Sequence, residues 1–265
     1  MVRKLIYLVL VLSLSASVQA VIVHQYTFNS NPTIAKDSVG TADGTLVGGA
    51  TVAGGLLTLD GSGYVDLPGA TIAINSLTNG FTLELWSTQI DDEGYTMSAA
   101  FGGTQSWWGQ NYVAMSTSRG DNVSRAMLTR ADNNPGFQSE VGENGPEIND
   151  GLQHQYVLTI GLMECLCSNQ MLISLYIDGQ IQGAHILGDR TIGGIENTFA
   201  YLGKSLYPGD ALWYGTINEF NIYDNALACE DVMANYLAGP VEVPEPATMI
   251  LLGLGSLSLL RRRKA

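Results

Sequence analysis

The chain has 265 residues, 46% of them hydrophobic, and a formal charge of −13 at neutral pH from 25 acidic and 12 basic side chains. Such a surface repels phosphate backbones, which excludes nucleic acid as a partner, while it keeps the chain soluble and can recruit divalent cations. Without its two unusual ends the chain is about 220 residues long, the size of one β-sandwich or barrel domain.

Residues 1–20 carry Arg3 and Lys4, an apolar run over 5–14 and the small-residue exit Val18-Gln19-Ala20. These features read as a secretory signal peptide, with the mature chain starting near Val21. Setting aside the first 20 residues and the basic C-terminal cluster leaves Lys36, Arg119, Arg125, Arg130, Arg190 and Lys204 against 25 acids, 6 − 25 = −19. Residues 21–240 show strand alternation broken by Gly, Asn, Asp and Pro, the pattern of an all-β sandwich. Residues 21–28 give a first strand, and residues 56–68 give two strands about a Gly-rich turn. Over 81–90, Phe81, Leu83 and Leu85 share one face, with Thr82, Glu84 and Trp86 on the other. Residues 155–163 and 171–183 pair as strands, with Asp178-Gly179 turning the second into a third. Residues 215–224 form a late strand and residues 226–237 one short helix, stopped by Gly239-Pro240. Cys165, Cys167 and Cys229 leave one odd thiol in an oxidising compartment. A Cys165–Cys167 bridge would be strained, and the pairing stays unassigned. The three have no zinc-ligand spacing.

The C-terminal stretch 241–265 is a proline-rich linker followed by Val243-Pro244-Glu245-Pro246, an apolar run over 247–260 and Arg261-Arg262-Arg263-Lys264. It resembles the PEP-CTERM sorting signal. Fourteen apolar-run residues fall short of the roughly 20 that a spanning helix needs, and the basic end would stay in the cytoplasm. The resemblance implies a transient membrane anchor and cutting near Pro-Glu-Pro by an exosortase-type enzyme. The domain would then reach the cell surface or extracellular matrix. An ordinary permanent anchor would tether the same domain outward.

The body resembles a laminin-G-like domain of the concanavalin A-like lectin/glucanase superfamily, through "DSVGTADGTLVGG" (37–49), "LTLDGSGYVDLP" (57–68), "FTLELW" (81–86), "HQYVLTIG" with "LYIDGQ", and "GTINEFNIYDNALACEDVMANY" (215–236). The resemblance implies a jelly-roll of two antiparallel sheets with one short C-terminal helix, between hydrophobic targeting helices at both ends. Asn218 stands where the family often has Asp, and Ala228 where it has a Ser helix cap. Related domains often hold a calcium ion between the N-terminal loop and the late strand. Asp37 and Glu219 are the candidate ligands of such a structural ion.

Hydrolases of this superfamily need paired carboxylates about 5 Å apart. No Glu-x-Asp-x-Glu or Glu-x-Asp-x-x-Glu run occurs, Glu84 stands alone, and Glu140, Glu143 and Glu147 read as the charged rim of a loop. There is no G-x-S-x-G elbow. His24, His154 and His185 lie in separate segments without a nucleophile motif, His154 being read as structural. The sequence therefore reads as a non-enzyme. Aromatics cluster in two loop-like stretches, one with Trp107, Trp108 and Tyr112, the other with Tyr207, Trp213 and Tyr214. Of these, Trp107, Trp108, Tyr112, Trp213 and Tyr214 are the candidate ligand-binding residues, since rings beside amide and carboxylate side chains suit sugars. The Arg119-Gly120-Asp121 tripeptide and the Asn122-Val123-Ser124 sequon read as chance. The leading expectation is an exported module that binds polysaccharide or another matrix component. The alternatives are a structural matrix protein without a small ligand and, behind both, a divergent glycoside hydrolase or lyase.

Overall fold

The computed structural model describes residues 19–90, 94–130, 136–162 and 170–241. Two antiparallel sheets of eight strands each are packed face to face. The first sheet runs β14 (Gln180–Ile186), β13 (Leu172–Ile177), β12 (Gln153–Gly161), β7 (Gly80–Gln89), β16 (Tyr214–Tyr223), β5 (Leu56–Asp60) and β4 (Thr51–Ala53), with β1 (Ile22–Tyr26) also paired to β16. The second runs β11 (Val141–Pro146), β10 (Val123–Leu128), β9 (Trp108–Ser116), β8 (Ala99–Gln105), β15 (Phe199–Leu202), β6 (Tyr64–Leu67), β3 (Gly44–Val47) and β2 (Ile34–Ala35). Two short helices, α1 (Gly69–Ile72) and α2 (Cys229–Ala238), complete the described residues together with 3-10 turns.

The period-2 pattern dictates what each strand buries. Phe81, Leu83 and Leu85 of β7 enter the core between the sheets with Leu158 and Ile160 of β12 and Phe220 and Ile222 of β16. Phe220 stacks on Tyr26 at 6.1 Å and, across the sandwich, on Phe101 of β8 at 6.2 Å. The other face of β7 is covered by α2. The Thr82 hydroxyl donates to the Asn225 carbonyl and accepts from the Leu227 N–H, 2.9 Å each. Buried Glu84 accepts from Gln155 Nε2 at 2.6 Å, the Tyr223 hydroxyl at 2.6 Å, Asn221 Nδ2 at 3.2 Å and Asn235 Nδ2 at 3.3 Å. Trp86 stacks on Tyr236 of α2 at 6.1 Å, almost parallel. A buried carboxylate is tolerated when donors satisfy its lone pairs, and here they also seat the helix.

Ala228 begins α2 without a side-chain cap bond, and Gly239 at φ +74° ends it. Asp178 and Gly179, both at positive φ, make the two-residue β13–β14 turn that the Asp-Gly pair predicts.

Three expectations from the sequence need correction. The strands of residues 56–68 are not hairpin partners: β5 joins the first sheet and β6 the second, so the Gly-rich turn is a crossing between layers. The aromatic stretch around Trp107 and Trp108 is no free loop, because β8 and β9 pair on either side of its tip. Glu143 lies in β11 rather than in a loop. Cys229 is disulfide-bonded, its partner lying outside the described residues, as Cys165 and Cys167 do. Both hydrophobic ends also lie outside them, and no described helix is long and apolar enough to cross a membrane.

Candidate functional site

The outer face of the second sheet has an apolar layer of its own. Along β9, Val113 and Met115 point into the main core, whereas Tyr112 and Ala114 join Met97, Ala100, Met127, Tyr201 and Leu206 on the far side. Residues 203–213 fold over this layer as a loop whose ends meet, the Trp213 N–H donating to the Gly203 carbonyl at 3.0 Å. At the end of the layer lies a cavity of about 370 Å³. Tyr95, Trp108, Phe137 and Tyr207 supply its rings, Thr96, Met97 and Met127 much of the remaining wall, and Arg119, Glu140 and Asp210 its charges. Trp108 lies 5.8 Å from Phe137, which lies 6.5 Å from Tyr207. Two glycines permit this closeness. A Cβ on Gly109 would stand 2.8 Å from the Tyr207 ring, and one on Gly136 2.6 Å from the Tyr112 ring.

The polar wall is a network. The Tyr112 hydroxyl donates to Glu140 Oε1 and lies 3.1 Å from the Tyr207 hydroxyl, which accepts the Phe137 N–H at 2.9 Å. Glu140 Oε2 is 3.4 Å from Arg125 Nε and 4.0 Å from Arg119 Nη1. Burial and the Glu140 charge push the Tyr112 hydroxyl well above its usual pKa, so it stays a neutral donor. Tyr207 is pushed up to about 12, chiefly by burial. Asp210 accepts the Ser205 hydroxyl at 2.6 Å. Burial raises its pKa against the opposing pull of that bond and of the Arg119 charge.

The candidate aromatic residues separate in space. Trp108, 42% exposed, lines the cavity, and Tyr112 stands behind its wall, fully buried. Trp107, 70% exposed, sits at the hairpin tip and does not line the cavity. Trp213 is a correction: it is wholly buried, its Nε1 donating to Thr117 Oγ1 at 2.8 Å, so it has no face to offer a ligand. Tyr214, half-buried at the start of β16 opposite Asp60, is also absent from the lining.

Sequence reasoning missed Tyr95, Arg119, Phe137 and Asp210, and it placed Glu140 on a solvated rim. The Arg-Gly-Asp tripeptide was the available signal for Arg119. Its two charged side chains chelate each other in a tight turn, Arg119 Nε to Asp121 Oδ1 at 3.0 Å and Nη2 to Oδ2 at 2.9 Å.

Asp37 and Glu219 do not fit a calcium ion. Asp37 Oδ1 accepts the N–H groups of Gln25, Val39 and Gly40, while Oδ2 accepts Ala42 N–H and contacts His24 Nδ1 at 2.7 Å. Glu219 accepts Gln25 Nε2, Asn221 Nδ2 and the Val241 N–H. Calcium needs oxygen ligands with free lone pairs; protein donors crowd both oxygens of Asp37 and already take three of the positions on Glu219. Burial alone would raise the pKa of Asp37, but those bonds hold it below the usual carboxylate range. No group of three or more metal-ligating side chains occurs among the described residues. His154 bridges Asp178 (Nδ1, 2.7 Å) and Asp150 (Nε2, 3.1 Å). Burial pulls its pKa down, yet the two carboxylates outweigh it and the net shift is upward. Pro244, Glu245, Pro246, Arg261, Arg262 and Arg263 lie outside the described residues.

Comparison with known proteins gives two family matches. Residues 59–233 match the model of the concanavalin A-like lectin/glucanases superfamily, and residues 242–264 the PEP-CTERM protein-sorting motif. No curated protein matches the chain by sequence. Among solved structures, domain 4 of AbnA, a GH43 extracellular arabinanase from Geobacillus stearothermophilus in complex with arabinotriose, is similar at TM-score 0.61 and 18% identity. That match covers 82% of this chain and 98% of that one. The CBM40 of Ruminococcus gnavus IT-sialidase bound to α2,3 sialyllactose gives TM-score 0.54 and 13% identity, covering 68% and 95% of the two chains. Trypanosoma rangeli sialidase gives 0.61 and 16%, covering 82% of this chain but only 32% of the sialidase. At these identities the likeness is one of fold.

Proposed function

We propose that this chain, which belongs to the concanavalin A-like lectin/glucanase superfamily, is an exported, non-catalytic module that binds a saccharide in the cavity beside β9 and β10. The observation that carries the reading is the cavity wall. Exposed faces of Trp108 and Phe137, with the Tyr207 ring, stand beside Asp210 and the Tyr112–Glu140 network. Flat rings beside fixed polar groups meet the two needs of sugar recognition, apolar ring faces to stack on and hydroxyls to bond. The sugar ligands of the arabinanase domain and the CBM40 support the same class of ligand. Glu140 is bound by a tyrosine and faced by two arginines, an arrangement that fixes a carboxylate rather than freeing it for proton transfer. The PEP-CTERM match supports export and a surface or extracellular location. On our reading the tail anchors the chain in the membrane until an exosortase-type enzyme cuts near Pro244-Glu245-Pro246.

The test is a binding screen of matrix polysaccharides against protein recovered from cells expressing the full chain, wild type beside Trp108→Ala/Phe137→Ala. Saturable binding that falls at least about tenfold in the double variant is expected, because base-free ring stacking of this kind contributes on the order of 1 kcal/mol per ring. Binding unaffected by the double variant would remove the cavity from the reading. A folded protein that binds none of the saccharides would favour a matrix protein without a small ligand.

A further inference from the structure

We propose that the cavity selects saccharides carrying a protonated amino group and rejects acidic ones, with Asp210 as the specificity-determining residue. This deepens the saccharide-binding reading above and rests on it.

The argument is an inventory of charge. Among the described residues Arg119, Glu140 and Asp210 line the cavity, with Asp121 paired to Arg119 and Arg125 facing Glu140. Arg119 is the cation that a sugar carboxylate would seek, but Asp121 takes two of its three nitrogens and Glu140 stands 4.0 Å from the third. Nε and Nη2 grip Asp121, Nη1 faces Glu140, and the guanidinium lies 5.5 Å from the centre of the Tyr95 ring. Arg125 is not among the lining residues: its Nη1 donates to Asn144 Oδ1 at 2.7 Å, and its buried Nε faces Glu140 at 3.4 Å without a hydrogen bond. A bidentate Arg–carboxylate pair is among the stronger polar contacts a protein makes, so an incoming acid would have to displace Asp121 or approach Arg119 Nη1 against the Glu140 charge.

Asp210 is different. Its Oδ2 accepts the Ser205 hydroxyl, and that hydroxyl in turn accepts the Tyr207 N–H at 3.1 Å, while the Asp210 N–H donates to the Tyr207 carbonyl at 3.0 Å. The side chain is thus held in place at the cavity wall. Among the described residues no donor reaches Oδ1, and no Lys, Arg or His forms an ion pair with either oxygen. A half-buried carboxylate with no cation in ion-pair contact, Arg119 acting on it only at a distance, gains from a ligand that brings one. Trp108, Phe137 and Tyr207 add ring faces, which attract an ammonium group and offer nothing to a carboxylate. The −13 charge of the whole chain acts in the same direction at long range.

The test ranks three hexasaccharides against protein recovered from cells expressing the full chain: glucosamine, N-acetylglucosamine and galacturonate. Calorimetry is run at a pH where the amine is protonated and Asp210 ionised, in low and in high salt. The glucosamine hexamer should bind about tenfold tighter than its N-acetylated counterpart, the worth of one charge-assisted hydrogen bond. High salt should shrink that advantage. Asp210→Asn, with folding checked by thermal melting, should abolish the advantage and leave the N-acetylated ligand within about threefold. Galacturonate should be the weakest. Equal or tighter binding of galacturonate, or an undiminished amine preference in Asp210→Asn, would overturn the selection while leaving saccharide binding intact. If folded protein binds none of the three while binding another polysaccharide of the screen above, the selection falls and the saccharide reading stands; if it binds no saccharide in either experiment, both fall.

Discussion

Trp213 offers a decisive separation of core from site. Its indole is fully enclosed, its Nε1 donates to Thr117 Oγ1 at 2.8 Å, and a Cβ on Gly215 would stand 2.6 Å from the ring. Thr117 passes the contact on to Gln89 of β7, so the indole ties β16 and the covering loop to the central strand. Replacing Trp213 with Ala should cost about 3–5 kcal/mol for the lost ring, because a pocket this tight collapses poorly. Replacing it with Phe keeps most of the ring and removes the N–H, which leaves an acceptor unpaired at a cost of about 1–2 kcal/mol. In a domain of this size each kcal/mol moves the melting temperature by about 2–4 °C, so the Ala variant should melt about 10 °C lower and the Phe variant about 4 °C lower. Urea unfolding with linear extrapolation gives the free energies, and the saccharide titration is run on the same samples below their transitions. Binding should survive in the Phe variant. A Phe variant of unchanged stability that binds no saccharide would refute the core assignment and return Trp213 to the site.

Two other outcomes test the polar framework. The raised pKa of His154 means that the charged imidazole favours the folded state. Its contribution is fully present below its ordinary pKa of about 6.5 and is lost as pH rises through the higher folded value. Melting temperature should therefore fall between about pH 6 and pH 9 more steeply in wild type than in His154→Asn, and parallel profiles would contradict the assignment. Asp37→Ala strips an acceptor from four backbone N–H groups and His24. It should cost about 3 kcal/mol, whereas a calcium chelator added to wild type should leave the melt unmoved. A melt lowered by several degrees on chelation would restore the ion.

Much of the framework is legible in the amino-acid order because each face of a strand meets one kind of neighbour. In β7 the alternation separates Phe81, Leu83 and Leu85 from Thr82, Glu84 and Trp86, and the sandwich uses both sets as read. Asp178-Gly179 specifies its turn through positive φ, and the run ending at Gly239 specifies α2. The cavity is less legible. Along β9 both faces are apolar, since an outer layer lies beyond the second sheet, and alternation then no longer separates inside from outside. Trp108 and Trp213 therefore look alike in sequence while one lines a cavity and the other fills the core. Arg119, Glu140 and Asp210 come from a turn, the approach to β11 and a covering loop. Nothing local announces that they converge. The Arg-Gly-Asp tripeptide shows the reverse difficulty, a familiar string whose charged ends are spent on each other.

The Val241 N–H is fastened to Glu219 Oε2 at 2.6 Å, on the face of β16 that also carries Asn221 and the Glu84 cluster. Whatever follows Val241 thus leaves the domain from the outer side of the first sheet. The cavity opens on the outer side of the second, with the full thickness of the sandwich between. A domain held by its C-terminal end would face a surface with its helix and look away from that surface with its aromatic mouth. Polymer arriving from the medium would meet the mouth unobstructed, and tension along the tail would enter the molecule through α2, with the Val241–Glu219 bond as a side tie to β16.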